Sequence, residues 1–344
     1  MRFYDLKLLD PNTGKVWSTD SSGNFVLGKA VTTFTSYANG RVNPGALNLE
    51  IDIPVIPFDE VQGKGNITVW GVGLKTLSQS ANLNGQNFEL RAGMSAGLPL
   101  AKPAQAGLIV KGQVFQAFGN WQGVNQTLNL VLYPSLAADH LDISFLWPAG
   151  TSLASALAAT FSQAFPTYQQ KVAISANLTL AHDEAAHATS LGQFADVIRR
   201  LTQQAGSAIY GQFYPGVAIS VSGQTIVAYD GTQAPPAVQL AFEDLVGQPT
   251  WMEPATINFK TVLRADLAVG SQVRFPTGVI SPYALTSSAA AYPNVPARSS
   301  TIFQGDFVVS EVHHFGNFRQ ADADSWVTAF SAFPVPKLTS APRS

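Results

Sequence analysis

The alternation of hydrophobic and polar positions divides this chain into a β-rich first part, a mixed middle part and a β-rich last part. Over residues 1–132, short apolar runs are separated by Asn, Gly and Pro. The run Leu47–Ile53 alternates strictly, so its leucines and isoleucines share one face. This spacing predicts short strands of a barrel or sandwich, and Asn84-Gly85 is the strongest signal for a two-residue hairpin turn.

The middle part, residues 133–245, has the pattern of a small α/β domain. A first helix is expected after a Thr151 cap, because apolar residues then recur four positions apart. A second helix is expected after Ser190, with Gln193 as its capping-box partner. Between these helices, the alternating run Val172–Leu180 predicts a strand.

Residues 246–344 return to a β pattern. The stretch before and into this part, Asp230–Pro254, is rich in Gly and Pro, which predicts a linker. Two apolar runs, Ile302–Val312 and Trp326–Phe330, flank a polar connection, as in a hairpin. We expect Gly316 to lie in that connection. The fold class is therefore mainly β with an α/β insert.

The charge content changes the picture of the surface. Charged residues make up 12% of the 344 residues, against roughly 25% in an average soluble domain. This scarcity indicates a surface largely covered by other subunits, although a β-rich protein with a Ser, Thr, Asn and Gln surface is the alternative. The net charge of −2, without a clustered basic face, argues against specific nucleic acid binding. The absence of cysteine excludes disulfides and thiolate metal sites.

No targeting or membrane segment is evident. The N-terminal residues lack the apolar core of a signal peptide, and Pro148 and Gly150 interrupt the longest apolar region. We therefore expect that the protein does not insert into a membrane and that it is made and assembled in the cytoplasm.

One cluster resembles a metal site. His182, Glu184 and His187 lie close together, but a zinc peptidase needs histidines at i and i+4 of a helix. The observed i, i+5 spacing turns the two rings roughly 140° apart on a helix. We interpret the segment as a polar loop that precedes the helix at Ser190.

Two other pairs are candidates for acid–base chemistry. His313 and His314 are neighbours, so on a strand they face opposite ways and cannot share a site. Asp322 and Asp324 could form a carboxylate pair, but Arg319 is close in sequence. A solvated turn or an Arg–Asp contact is the preferred interpretation.

A single Gly-x-Ser-x-Gly match occurs at Gly93–Gly97. A hydrolase elbow requires a helix after the serine, and Pro99 and Pro103 prevent one. No phosphate loop or dinucleotide-binding glycine pattern is present. We assign no catalytic residue, no cofactor and no metal, and we expect the protein not to be an enzyme.

The C-terminal motif resembles that of the baseplate hub proteins of contractile-tailed bacteriophages. It is carried by Gly305, Phe307, Val309, Val312, His314, Gly316, Asn317, Arg319, Asp324, Trp326 and Thr328. Two further segments, Leu90–Leu132 and Ile257–Pro276, are similar to other parts of that family. Together the matches cover less than half of the chain.

The resemblance implies two tail-tube-like β-barrel domains, over 1–132 and 246–344, and a small α/β domain over 133–245. It implies a homotrimeric ring in the virion tail baseplate, which joins the hexameric tail tube to the trimeric central spike and contacts other baseplate proteins. Shaping of the hairpin or of an interface is expected of Gly305, Gly316, Arg319, Asp324 and Trp326.

Two alternatives stay open at this stage. One is a tail-associated cell-wall hydrolase that uses the His182–His187 cluster or the loop with Asp322 and Asp324. The other is a glycan-binding tail-tip protein, which would need its aromatic residues on one exposed platform.

Overall fold

The computed structural model describes residues 1–28, 34–38, 41–55, 57, 64–94, 102–133, 142–222, 225–233, 235–253, 255–276, 303 and 305–337. Its first part is built from the strands β1 (Arg2–Leu9), β2 (Trp17–Thr19), β3 (Phe25–Leu27), β4 (Phe34–Thr35), β5 (Tyr37–Ala38), β6 (Arg41–Val42), β7 (Asn48–Val55), β8 (Gly65–Trp70), β9 (Asn87–Met94), β10 (Gly107–Gln122) and β11 (Asn125–Tyr133). A short helix, α1 (Leu74–Leu77), and 3₁₀ turns at Ser80–Leu83 and Pro103–Gln105 lie between them.

The middle part contains β12 (Ile143–Trp147), α2 (Leu153–Ala164), β13 (Gln169–Ala173), β14 (Glu184–Ala188), α3 (Leu191–Tyr210), β15 (Ala218–Ser222) and β16 (Thr225–Tyr229). The last part contains β17 (Val238–Gln239), β18 (Thr250–Glu253), β19 (Thr256–Val262), β20 (Gln272–Arg274), β21 (Asp306–Asn317) and β22 (Trp326–Pro334), with 3₁₀ turns at Phe242–Asp244 and Ala323–Ser325. The fold is thus mainly β with an α/β insert, as expected. Among the helices that the structure describes, none is both long and apolar enough for a membrane span.

One large antiparallel sheet connects the first and last parts of the chain. Its main path is β18-β19-β22-β21-β7-β8-β11-β10-β9-β1-β4. The two parts meet where β21 pairs with β7, in a register that places Phe315 opposite Asp52. The expectation of two tail-tube-like β-barrel domains stays a prediction, as does the division into domains over 1–132, 133–245 and 246–344.

The alternating pattern in β7 correctly predicts its inward face. Leu49, Ile51 and Ile53 are buried in the core of the first part. The expectation of a hairpin turn at Asn84-Gly85 is wrong. These residues link a 3₁₀ turn to β9, and the Asn84 side chain accepts a hydrogen bond from the N–H of Ala117. The left-handed φ of Gly85 serves this link.

The helices of the α/β unit begin where side chains can cap them. Ser152, one residue after the expected Thr151, accepts a hydrogen bond from the N–H of Ser155. Ser190 caps α3 as predicted, whereas Gln193 accepts from the N–H of Thr189 and not from that of Ser190. Both helices cover an apolar cluster that they share with the strands of this part.

The predicted strand over Val172–Leu180 is wrong beyond Ala173. The N–H of Ser175 donates to the buried Asp230 carboxylate at 3.0 Å, and that of Asn177 donates to the Ser175 hydroxyl. The backbone is therefore held by side chains at this point and leaves the sheet. Tyr214 also donates to Asp230, at 2.8 Å, and burial followed by that carboxylate raises the pKa of Tyr214.

The expectation of a linker over Asp230–Pro254 is also wrong. Leu240 is fully buried, and Asp244 accepts hydrogen bonds from Lys102 at 2.7 Å and from Gln105 at 3.0 Å. Burial alone would raise the pKa of Asp244, but these donors and the N–H of Ala241 hold it below its usual value. The segment is packed because its few apolar and acidic side chains have partners far away in sequence.

Candidate functional site

The residues of the C-terminal motif lie in the hairpin β21–β22, except for Gly305, which directly precedes β21. The two strands of this hairpin are the third and fourth on the main path of the large sheet. β21 pairs with β7 on one side, and β22 pairs with β19 on the other. The hairpin therefore occupies the position where the first and last parts of the chain meet. Its connecting segment, residues 318–325, projects toward the first part.

The sequence predicts that Gly316 lies in the connection between the two strands. This prediction is wrong, because Gly316 lies within β21. It stands opposite Trp326 in the pairing of β21 with β22. A Cβ atom at this position would lie 2.7 Å from the carbonyl oxygen of Ser325 and 2.8 Å from Cε3 of Trp326. The glycine is therefore required by the close approach of the tryptophan ring and not by the turn.

Trp326 is fully buried in the core of the first part, although it belongs to the last part by sequence. Its Nε1 donates a hydrogen bond to the carbonyl oxygen of Gly93 at 3.1 Å. The edge of its ring meets Phe318, with the centroids 6.1 Å apart. Within one chain, this side chain is a link between two β regions and not an exposed contact residue.

Arg319 binds the segment that connects β21 and β22 to the first part of the chain. Its guanidinium donates to the carbonyl oxygen of Ala46, and its N–H donates to the Asn48 side chain at 3.1 Å. Arg2 binds the same connection from the other side, since it donates to the carbonyl oxygens of Asn317 at 3.0 Å and Asp322 at 2.6 Å. The role of Arg2 could not be read from the sequence, because no local motif includes it.

Asp324 makes an ion pair with Lys260 at 3.3 Å, and both side chains are exposed. The interpretation as a solvated turn is confirmed, because Asp322 and Asp324 are exposed in the turn between β21 and β22. The alternative contact between Arg319 and an aspartate is wrong, because the Arg319 guanidinium donates to the carbonyl oxygen of Ala46. Asp324 also lies in a 3₁₀ turn, so it does not share a strand face with Asp322.

Gly305 precedes β21 in a left-handed conformation, with a φ of 108°. Nothing would lie within 4 Å of an added Cβ atom, so the backbone angle alone favours glycine. The next residue, Asp306, accepts two hydrogen bonds from Arg274, at 2.7 and 3.0 Å, which lower the pKa of its carboxyl group.

His313 and His314 face opposite ways, as their neighbouring positions on a strand predict. His313 is exposed, and its Nε2 lies 2.5 Å from Oδ1 of Asp52 on β7. His314 is buried, and its Nδ1 lies 3.0 Å from the hydroxyl of Thr328. Burial, followed by the neighbouring His313, lowers the pKa of His314 to about 3. The two rings do not form a common site.

The segment that contains His182 and His187 is not the loop that the sequence had predicted. Glu184–Ala188 form β14, which pairs with β12, because Ala186 and Ala188 lie on one face and pack against the apolar cluster of this part. His182 lies 3.5 Å from Glu184, whereas His187 lies 3.3 Å from Asp142. The two histidines thus have separate acidic partners.

No arrangement with evident chemistry emerges in the described part of the chain. The described residues contain no group of three or more His, Asp or Glu that could hold a metal ion. Of the Gly93–Gly97 match, Gly93 and Met94 end β9, and the serine lies outside the described residues.

No protein-family model and no curated protein matches the sequence. Solved structures similar to this chain include the 43 kDa tail protein of prophage MuSo2 from Shewanella oneidensis, at 8% identity over 98% of this chain and 100% of that chain, with a TM-score of 0.49. They also include the tail protein from Neisseria meningitidis MC58, at 10% identity over 86% and 94%, with a TM-score of 0.38. A chain of the lidded Francisella PdpA–VgrG complex matches at 8% identity over 98% and 54%, with a TM-score of 0.43. The structural neighbours are thus a prophage tail protein, a second tail protein and a VgrG complex, all at low sequence identity.

Proposed function

We propose that this protein is a structural hub of a contractile phage tail baseplate. Three copies form a ring that joins the hexameric tail tube to the trimeric central spike. The observation that carries the proposal is the continuity of the sheet through the pairing of β21 with β7. Each chain thereby presents two β regions side by side, and three chains would present six.

The residues of the C-terminal motif support this role. Trp326 and Arg319 bind the first part of the chain, so they fix the angle between the two β regions. A ring that adapts a six-fold tube to a three-fold spike requires such a fixed angle. The motif residues act in this account through geometry inside each chain and not through catalysis.

The scarcity of charge supports burial between subunits. Residues 85–181 carry only seven Asp, Glu, Lys or Arg side chains, namely Glu89, Arg91, Lys102, Lys111, Asp139, Asp142 and Lys171. Obligate interfaces are more apolar than ordinary surface and bury on the order of thousands of Å². A ring through which DNA passes should also not bind DNA, and the net charge of −2 is compatible with this requirement.

Binding to the spike tests this function. The purified protein is mixed with the candidate spike protein and separated by size-exclusion chromatography, and a zymogram against host cell wall is run in parallel. A complex with the spike and no clearing of the cell wall is the expected result. Clearing that disappears in Glu184→Gln would instead establish the hydrolase, and glycan binding without spike binding would establish the tail-tip adhesin.

A further inference from the structure

The backbone at Phe303 lies in the left-handed region. Its φ is 66°, and in the part of the chain that the structure describes Phe303 is the single residue other than glycine with a positive φ. In this conformation the Cβ atom comes close to the following carbonyl oxygen, so a bulky residue is strained there. Such strain persists only where the surroundings hold the residue in place. The contacts of the Phe303 side chain must therefore stabilise this conformation.

The Phe303 ring occupies an aromatic pocket. The residue is 6% exposed, and its ring stacks on the indole of Trp251, with the centroids 6.0 Å apart, and lies 6.2 Å from the ring of Phe275. Phe307 borders the same pocket, with its ring 5.9 Å from Trp251 and 5.4 Å from Phe275. Burial and these ring contacts favour the seated ring. The backbone strain offsets a part of this stabilisation.

The pocket lies at the margin of the apolar core of the last part. Trp251 belongs to β18, the terminal strand on the main path of the large sheet, and its side chain is only partly buried. Phe303 itself lies in a turn and not in a strand. Its ring can therefore leave the pocket without breaking the pairing of any strand, and it reaches water past a side chain that is already partly exposed.

We propose that Phe303 is a releasable anchor, whose ring leaves the pocket of Trp251, Phe275 and Phe307 in a measurable fraction of the molecules. Burial of the ring favours the seated state, whereas relaxation of the left-handed backbone favours release. Because the two effects oppose each other at one residue, the two states differ less in free energy than burial alone would make them. The strands of the last part stay paired in both states.

Release changes what this part of the chain presents to other molecules. It exposes the ring faces of Trp251 and Phe275, and it frees the backbone at Phe303 to become extended. A protein that binds this backbone in the extended conformation binds only the released state and shifts the population toward it. The anchor acts within a single chain, so it does not depend on the ring of three chains proposed above.

Fluorine NMR tests the release directly. 4-Fluorophenylalanine is incorporated at position 303 of the 344-residue chain, and at the buried position 275 as the matched control. The para fluorine lies on the axis of ring flips, so flipping alone does not split its signal. Position 303 should give two signals, or one signal that moves on warming toward that of the urea-unfolded protein. A signal at position 303 that stays as sharp and as fixed as that of position 275 would overturn the proposal.

Two pairs of variants test the strain independently. Phe303→Gly relieves the left-handed backbone and Phe303→Ala does not, so the glycine variant should have an unfolding equilibrium constant about three- to tenfold lower. At Phe275, whose φ is not left-handed, Phe275→Ala should instead be more stable than Phe275→Gly. Urea unfolding measures all four. A Phe303→Ala variant at least as stable as Phe303→Gly would show that no strain favours release, which would overturn the proposal.

Discussion

The indole Nε1 of Trp326 donates a hydrogen bond to the carbonyl oxygen of Gly93 across 233 residues of sequence. This bond places a side chain of the last strand in the core of the first β region. The two β regions consequently share a sheet and also a part of their apolar interior. The shared interior gives the pair of β regions a defined relative orientation.

Replacing Trp326 should destabilise the protein strongly. Trp326→Ala leaves a cavity and an unpaired carbonyl at Gly93, and we expect a loss of about 3–5 kcal/mol in the free energy of unfolding. Urea unfolding, followed by circular dichroism, measures this loss. Leu146→Ala, at an exposed position, serves as the control and should change stability by less than about 0.5 kcal/mol. A Trp326→Ala variant as stable as that control would contradict the shared core.

Gly316 should not tolerate even a methyl group. In Gly316→Ala the new Cβ meets Ser325 and the Trp326 ring, so we expect destabilisation by about 1–3 kcal/mol. Thermal unfolding compares it with Gly73→Ala, where an added Cβ meets nothing within 4 Å. If the two variants unfolded at the same temperature, the close approach to Trp326 would not be the reason for a glycine at position 316.

Arg319 and Asp324 should differ in their importance, although both belong to the motif. Arg319→Ala removes the hydrogen bond to the carbonyl of Ala46, and a loss of about 1 kcal/mol is expected. Asp324→Asn removes an exposed ion pair with Lys260, which contributes at most about 0.5 kcal/mol in water. Hydrogen exchange over residues 317–325 should accelerate in the first variant only. Acceleration in the second variant alone would reverse these assignments.

His314 should make the fold sensitive to mild acid. Its pKa is about 3 in the folded protein and about 6.5 when unfolded, so below pH 6.5 the unfolded state binds more protons. The contribution of His314 to the free energy of unfolding is fully present above about pH 6.5 and is lost as the pH falls toward about 3. The slope from this group approaches about 1.4 kcal/mol per pH unit.

The measurement for this prediction is urea unfolding between pH 7.5 and pH 4.5, with His314→Asn as the comparison. The variant should show a shallower dependence on pH over that range. Parallel curves for the natural protein and His314→Asn would mean that the buried imidazole is protonated in the folded state.

The sequence predicts well what depends on local periodicity. The inward face of β7, the cap of α3 at Ser190 and the opposite orientation of the two neighbouring histidines all follow from alternation or spacing between near neighbours. The mainly β fold with an α/β insert also follows from such patterns.

The sequence predicts poorly what depends on distant partners. The role of Gly316 arises from the Trp326 ring, and the order of the Asp230–Pro254 segment arises from Lys102 and Gln105. These partners cannot be identified from a single sequence, because they belong to other strands or distant segments and come into contact only in the folded chain. The same holds for Arg2, which supports the hairpin connection from the opposite end of the chain.

The mass of the protein in solution tests the central claim most directly. Light scattering is recorded on the purified protein alone and after addition of the candidate spike protein. The account predicts a particle of three chains, either from the outset or once the spike is present. A single chain that stays single and does not bind the spike would contradict the hub ring.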